Sequence, residues 1–220
     1  MRAAGKDELA RFVAERKVVA FRDQDFADLP IDKALEFGGY FGRYVSVSSP
    51  PRESPTNKPT QPNPSHHIHP TSGTPESFPE IHLVHRAAGD KTSDAYFANR
   101  TSSVAWHSDV SYEQQPPGTT FLYILDKPST GGDTLFVDAV EAYNRLSPLF
   151  QERLHGLKAT HSGIEQVAAA VGRGSINRRN PVISEHPIVR THPVTGEKAL
   201  YVNPQCMSLL DADFLVIDGH

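Results

Sequence analysis

The sequence predicts a mainly β domain with flanking helices, built as a double-stranded β-helix (jelly roll). Two observations predict it. Short runs rich in β-branched and aromatic residues recur between turn residues along most of the chain. Helical periodicity is confined to the N-terminal segments and to one inserted stretch, 139–157. Many short strands with a few helices packed outside suit that double-sheet architecture. The 220 residues are enough for one sizeable domain, 1–220, and no internal repeat is visible.

Taken in order, "DELARFVAER" (7–16) sets Leu9, Phe12 and Val13 at amphipathic-helix spacing. "KVVAFRD" (17–23) is a β-branched run and reads as a strand. A helix is predicted over 29–43, with Pro30 near its start and glycines ending it. Residues 44–65 are crowded with Pro, Ser, Thr and Asn, and apolar residues nearly vanish after Val47. Such a segment cannot bury a core, and a disordered insertion is expected there. A structureless loop of that size is unusual inside a compact domain.

Further along, "EIHLVHR" (80–86), 119–129 and 131–138 read as strands, the second following a Pro116-Pro117-Gly118 turn. Residues 139–157 read as helical, with Pro148 marking a break or a second start. A strand over 158–163 follows, then a helix fragment and mobile loop over 165–185. Residues 186–204 read as a hairpin turning at Pro193-Val194-Thr195-Gly196.

Composition narrows the function classes. The net charge of −4 and the pI near 6.2 carry no basic excess of the kind nucleic-acid binders show. No apolar run is long enough to span a membrane. The start, "MRAAGKDELARFVAERKVVAF", has no signal-peptide core. Cys206 is the single cysteine, so a disulfide framework and a thiolate zinc site are both excluded. A reducing, cytoplasmic setting is expected, with self-association left open. Eleven histidines invite a search for metal ligands.

The stretch "VAWHSDVSYEQQPPG" (104–118) answers that search in part. His107 and Asp109 offer a neutral nitrogen and an anionic oxygen on one side of a strand, two-thirds of a non-haem iron(II) facial triad. Alone, His-x-Asp is a weak signal, and a solvated strand edge is its ordinary explanation. Trp106 is expected to pack beneath the pair. "GGDT" (131–134) supplies Thr134, whose hydroxyl can donate to a co-substrate carboxylate; the plainer reading is a tight turn.

"WHSDVSYEQQPPGTTFLYILDKPSTGGDTLFVDAVEAYNRLSP", "HIHP" (67–70) and "HPIVRTHPVTGEKALYVNP" (186–204) together resemble the taurine dioxygenase family, in order and spacing. The wording around "HIHPTSGTPESFPEIHLVHR" looks most like its fungal sulfonate dioxygenase branch. The resemblance implies iron(II), 2-oxoglutarate and O₂, with His107 and Asp109 as iron ligands. It also implies Thr134 on a 2-oxoglutarate carboxylate and His69 on the acidic group of a small-molecule substrate. The implied reaction hydroxylates a sulfonate or related acid and releases succinate and CO₂. Ser72, Ser103 and Cys206 stand where the taurine enzyme carries a tyrosine, an asparagine and a phenylalanine. Taurine itself is therefore not the expected substrate.

The resemblance implies two further groups, a distal histidine as third ligand and an arginine for 2-oxoglutarate. It stops at "YVNPQ" (201–205), and "CMSLLDADFLVIDGH" (206–220) does not continue the pattern. The expectation is a jelly roll incomplete at its C-terminus, with 206–220 a tail outside the family. His220, the last residue, lacks any matching context; His161, His186 and His192 are candidate ligands by composition alone, surface or strand-edge histidines being the ordinary alternative. Arg43-Tyr44-Val45 and Cys206-Met207-Ser208 can both be encoded with the splice-donor hexamer GTATGT, and Pro64-Ser65 with an acceptor. Both odd segments are on this hypothesis translated introns, which the genomic sequence would decide. Two other functional readings stand beside the dioxygenase: a truncated or pseudo-enzymatic protein without activity, and a cupin-like binding module. "GGDT" at its family spacing argues against the last.

Overall fold

The computed structural model describes residues 3–41, 67–70, 78–84, 106–172, 174, 176–204 and 207–209. Helix α1 (Ala3–Arg16) forms where the apolar spacing predicts it. Helix α2 (Ile31–Gly38) begins directly after Pro30, and a 3-10 turn at Gly39–Phe41 follows its end. Proline suits such a start because its fixed φ and missing N–H cost nothing there.

The predicted helical stretch 139–157 is two helices. In α3 (Ala139–Asn144) the Asp138 carboxylate caps the start, accepting from the Val140 and Glu141 backbone N–H groups at 2.8 and 3.3 Å. Lys17 Nζ donates to the other Asp138 oxygen at 2.7 Å, tying the N-terminal segment to this cap. In α4 (Pro148–Leu154) the Ser147 hydroxyl accepts from Phe150 N at 3.3 Å, with Pro148 in the first turn. Pro148 is thus the start of a second helix.

Strand β1 (Lys158–Ser162) lies between β2 (Ile183–Pro187) and β5 (Met207–Leu209), antiparallel to both. Helix α5 (Ile164–Gly172) connects β1 towards β2 and buries Val167 and Ala170. β3 (Val189–Thr191) and β4 (Lys198–Leu200) form the expected hairpin. His192 Nδ1 accepts from Val194 N and Thr195 N at its turn, at 3.3 and 3.2 Å, so this histidine is a turn cap. Gly196 takes the left-handed conformation there, φ 72°, which favours glycine. The small core joins Leu154, Ala159 and Ile188, with Leu146, Leu157, Val189 and Leu200 packed against it.

Several expectations need correction. The segments 17–23, 119–129 and 131–138 form no strand and join no ladder among the described residues. A strand exists only as part of a hydrogen-bonded ladder, so β propensity without a neighbour leaves chain, not sheet. Phe121 and Tyr123 instead meet the aromatic side chains of the N-terminal segment. Phe121 lies 5.9 Å from Phe37 and 5.1 Å from Phe41, and Tyr123 lies 5.6 Å from Phe26. Within 165–185 the expected helix fragment is α5, the described residues of 174–182 are neither helix nor strand, and β2 begins at Ile183. The described sheets are one of three strands and one of two, not a closed double sheet. The expected insertion 44–65, the residues Ser72, Ser103, Cys206 and His220, and the end of the 80–86 strand lie outside the described residues.

Candidate metal centre

His107 and Asp109 stand on a tight turn, not on a strand. Nε2 of His107 and Oδ1 of Asp109 are 3.2 Å apart, with the two side chains 46% and 62% exposed. Two ligands about 2.1 Å from a metal in adjacent octahedral positions stand about 3 Å apart. The pair therefore fits one edge of an octahedral iron(II) site. Among the described residues no group of three His, Cys, Asp or Glu side chains is placed to hold a metal. The hydrogen bond from His107 is the main cause holding the Asp109 carboxyl below its ordinary range; burial opposes it, and His82 and His69 assist.

His69 lies in the same neighbourhood. Its ring sits 4.3 Å from that of His82, tilted by 31°. Burial pushes the His69 imidazole down to about 4, assisted by His82 and Arg179 and opposed by Asp109. It is neutral at neutral pH and offers an N–H without a charge. His82 is shifted down too, by burial, with Asp109 opposing. The structure thus gathers His69 near Asp109 and adds His82, which the sequence offered only as part of a strand. Thr134 stands exposed in the unpaired 131–138 stretch.

Beneath the turn lies a buried polar layer that local pattern did not foretell. Val110, between Asp109 and Ser111, has φ 43° although it is β-branched and 8% exposed. Such a conformation costs about 1–3 kcal/mol and persists only where neighbours over-determine it. The neighbours are plain. Asn203 Nδ2 donates to Ser108 O at 3.1 Å and to Ser111 Oγ at 2.8 Å. His161 Nδ1 and Ser111 Oγ are 3.0 Å apart, and Tyr201 donates its hydroxyl to Ser111 O at 3.3 Å. His186 Nε2 donates to Glu113 O at 2.8 Å, which assigns its proton to that nitrogen. The Tyr112 hydroxyl donates to Gln166 Oε1 at 2.7 Å, and a Cβ on Gly163 would meet the Tyr112 ring at 3.2 Å.

His161 and His186 share a face because the ladder sets Ala159 opposite His186 and His161 opposite Ser184. Their rings lie 5.3 Å apart, and His161 stacks on Tyr201 at 5.1 Å and 20°. The Arg190 guanidinium lies over the Tyr201 ring at 4.6 Å. Burial first, then His186 and Arg190, pushes the His161 imidazole down to about 4. Arg179 forms an ion pair with the buried Glu113 carboxylate and donates from Nε to Ile68 O at 2.7 Å, joining the turn to the "HIHP" strip. Period-two burial of Ala159 and His161 was the one signal in the sequence for this layer.

Residues 1–213 match the family model described as "Taurine catabolism dioxygenase TauD, TfdA family". The chain belongs to that family, whose activity implies iron(II), 2-oxoglutarate and O₂. It is 43% identical over 200 residues to the alpha-ketoglutarate-dependent sulfonate dioxygenase of Saccharomyces cerevisiae, covering 91% of this chain and 43% of that protein. It is 39% identical over 206 residues to the alpha-ketoglutarate-dependent dioxygenase cnsP of Penicillium expansum, covering 92% and 50% respectively. A Burkholderia xenovorans crystal structure, described as a candidate alpha-ketoglutarate-dependent taurine dioxygenase, shares the fold. Its TM-score is 0.60 at 24% identity, over 96% of this chain and 60% of that one. The chain spans about half the length of the relatives it matches.

Proposed function

We propose that this chain carries the iron edge of an iron(II)- and 2-oxoglutarate-dependent dioxygenase that hydroxylates a sulfonate or related small organic acid. The observation carrying the proposal is the 3.2 Å approach of His107 Nε2 to Asp109 Oδ1 within a family-matched segment. Bound iron would supply the activation of O₂, coupled to oxidative decarboxylation of 2-oxoglutarate to succinate and CO₂.

On this reading the chain's own residues bind and orient. His107 and Asp109 contribute two of the protein ligands. Neutral His69 donates one N–H to the acidic group of the substrate, beside His82. Thr134 serves the co-substrate carboxylate, which requires the 131–138 stretch to approach the turn. The same reading takes 119–129 and 131–138 as jelly-roll strands, a reading their exposed apolar side chains support.

The test compares the wild-type chain with Asp109→Ala. Co(II) uptake and 2-oxoglutarate-dependent succinate release are expected in the wild type, with uptake weakened at least a hundredfold in the variant, at the upper limit of about 10–100-fold for outer-sphere losses. Equal uptake by both proteins would sink the proposal. Uptake without succinate release would favour the second reading, a metal-binding chain without turnover. That reading has its own support in the absence of a third ligand among the described residues.

A further inference from the structure

We infer that His161, acting through Ser111 and Asn203, holds the strained turn on which His107 and Asp109 stand, so that the two side chains face one point. The inference rests on the reading of that pair as an iron edge. The strain is local: Val110 carries φ 43° directly after Asp109. The restraints bracket it. Asn203 Nδ2 grips Ser108 O on one side of Asp109 and Ser111 Oγ on the other. Ser111 Oγ is in turn held by His161 Nδ1 at 3.0 Å. The turn's own backbone bond, Glu113 N to Val110 O at 3.0 Å, closes 110–113; the Asn203 and His161 bonds add restraint from outside it on a β-branched residue held in the left-handed region.

His161 is a rigid anchor for this purpose. It is fully buried on the central strand of its sheet, stacked on Tyr201 and crossed by His186. Its other nitrogen, Nε2, is buried without a hydrogen-bond partner. An apolar ring would fill the same space without leaving a polar atom unsatisfied. Packing therefore does not account for an imidazole here; the bond from Nδ1 to Ser111 does. His161 is a positioning residue, one shell behind the proposed ligands, as outer partners of metal ligands commonly are.

The experiment uses the whole chain in four further forms: His161→Phe, which keeps the ring; Ser111→Ala, which removes only the hydroxyl; His161→Asn, whose amide can replace Nδ1; and Asp109→Ala. Three quantities are read: amide hydrogen exchange across 108–113 in metal-free protein, Co(II) affinity, and melting temperature. His161→Phe and Ser111→Ala are expected to speed exchange in 108–113 and to weaken Co(II) binding about 10–100-fold, with the melting temperature held. His161→Asn restores both. Exchange and affinity unchanged in Phe and Ala variants alike would overturn the inference. So would faster exchange spread evenly over the chain with a parallel fall in melting temperature. Should His161→Phe fail to fold, Ser111→Ala decides. A wild type that takes up no more Co(II) than Asp109→Ala refutes the iron reading alone, and exchange across 108–113 still decides the turn.

Discussion

Two adjacent stretches, 119–138 and 139–204, carry similar apolar patterns and come to opposite ends. In the second, Leu154, Ala159 and Ile188 close a core, with Ile188 only 3% exposed. In the first, Leu125, Leu135 and Val137 remain 68%, 67% and 63% exposed. Propensity does not separate the two. The difference is the partner: β1 has a strand on each side, whereas 119–138 has none among the described residues. Burial follows pairing, because a strand offers a face to a core only after its backbone groups are satisfied.

The comparison can be broken at its strongest point. Arg179→Ala would remove the guanidinium partner of the buried Glu113 carboxylate, leaving His67 at 4.0 Å beside it, and free the "HIHP" strip, at an expected cost of about 3–5 kcal/mol in urea unfolding. A loss below half of that would show the ion pair to be solvated and the second stretch less closed than drawn. Next comes Leu154→Ala, expected to cost about 2–5 kcal/mol by the same measurement.

The buried histidines sharpen the contrast through pH. His161 is depressed to about 4 when folded and returns to about 6.5 unfolded. The unfolded chain then binds the extra proton between those values, so stability rises with pH there and is lost as pH falls from 6.5 towards 4. The slope expected from this one proton is at most about 1.4 kcal/mol per pH unit. His161→Phe should flatten it by that amount, and a slope unchanged in the variant would contradict the assignment. Smallest of all is Leu125→Ala, expected to stay within about 0.5 kcal/mol because the side chain is already in water. A cost matching that of Leu154→Ala would mean that 119–138 is packed in solution and the contrast is false.

Legibility in the sequence followed the range of the interaction. Helices α1 to α4, the Pro148 start and the hairpin turn at Pro193–Gly196 rest on contacts within a few residues, and spacing alone located them. His107 and Asp109 stand two apart, a weak signal alone, and the co-linear motifs around them carried the resemblance to the family that the match over 1–213 bears out. Pairings across some fifty to ninety residues were not legible: Ser111 with His161, Asn203 with Ser108, Glu113 with Arg179. By itself, then, the sequence determined local elements, a candidate ligand pair and the resemblance to the family. Tertiary structure alone decided which β-prone stretches became strands, and that His161 and His186 lie buried behind the turn. The physical reason is that ladders and buried hydrogen bonds need partners whose identity is set by the fold, not by neighbouring residues.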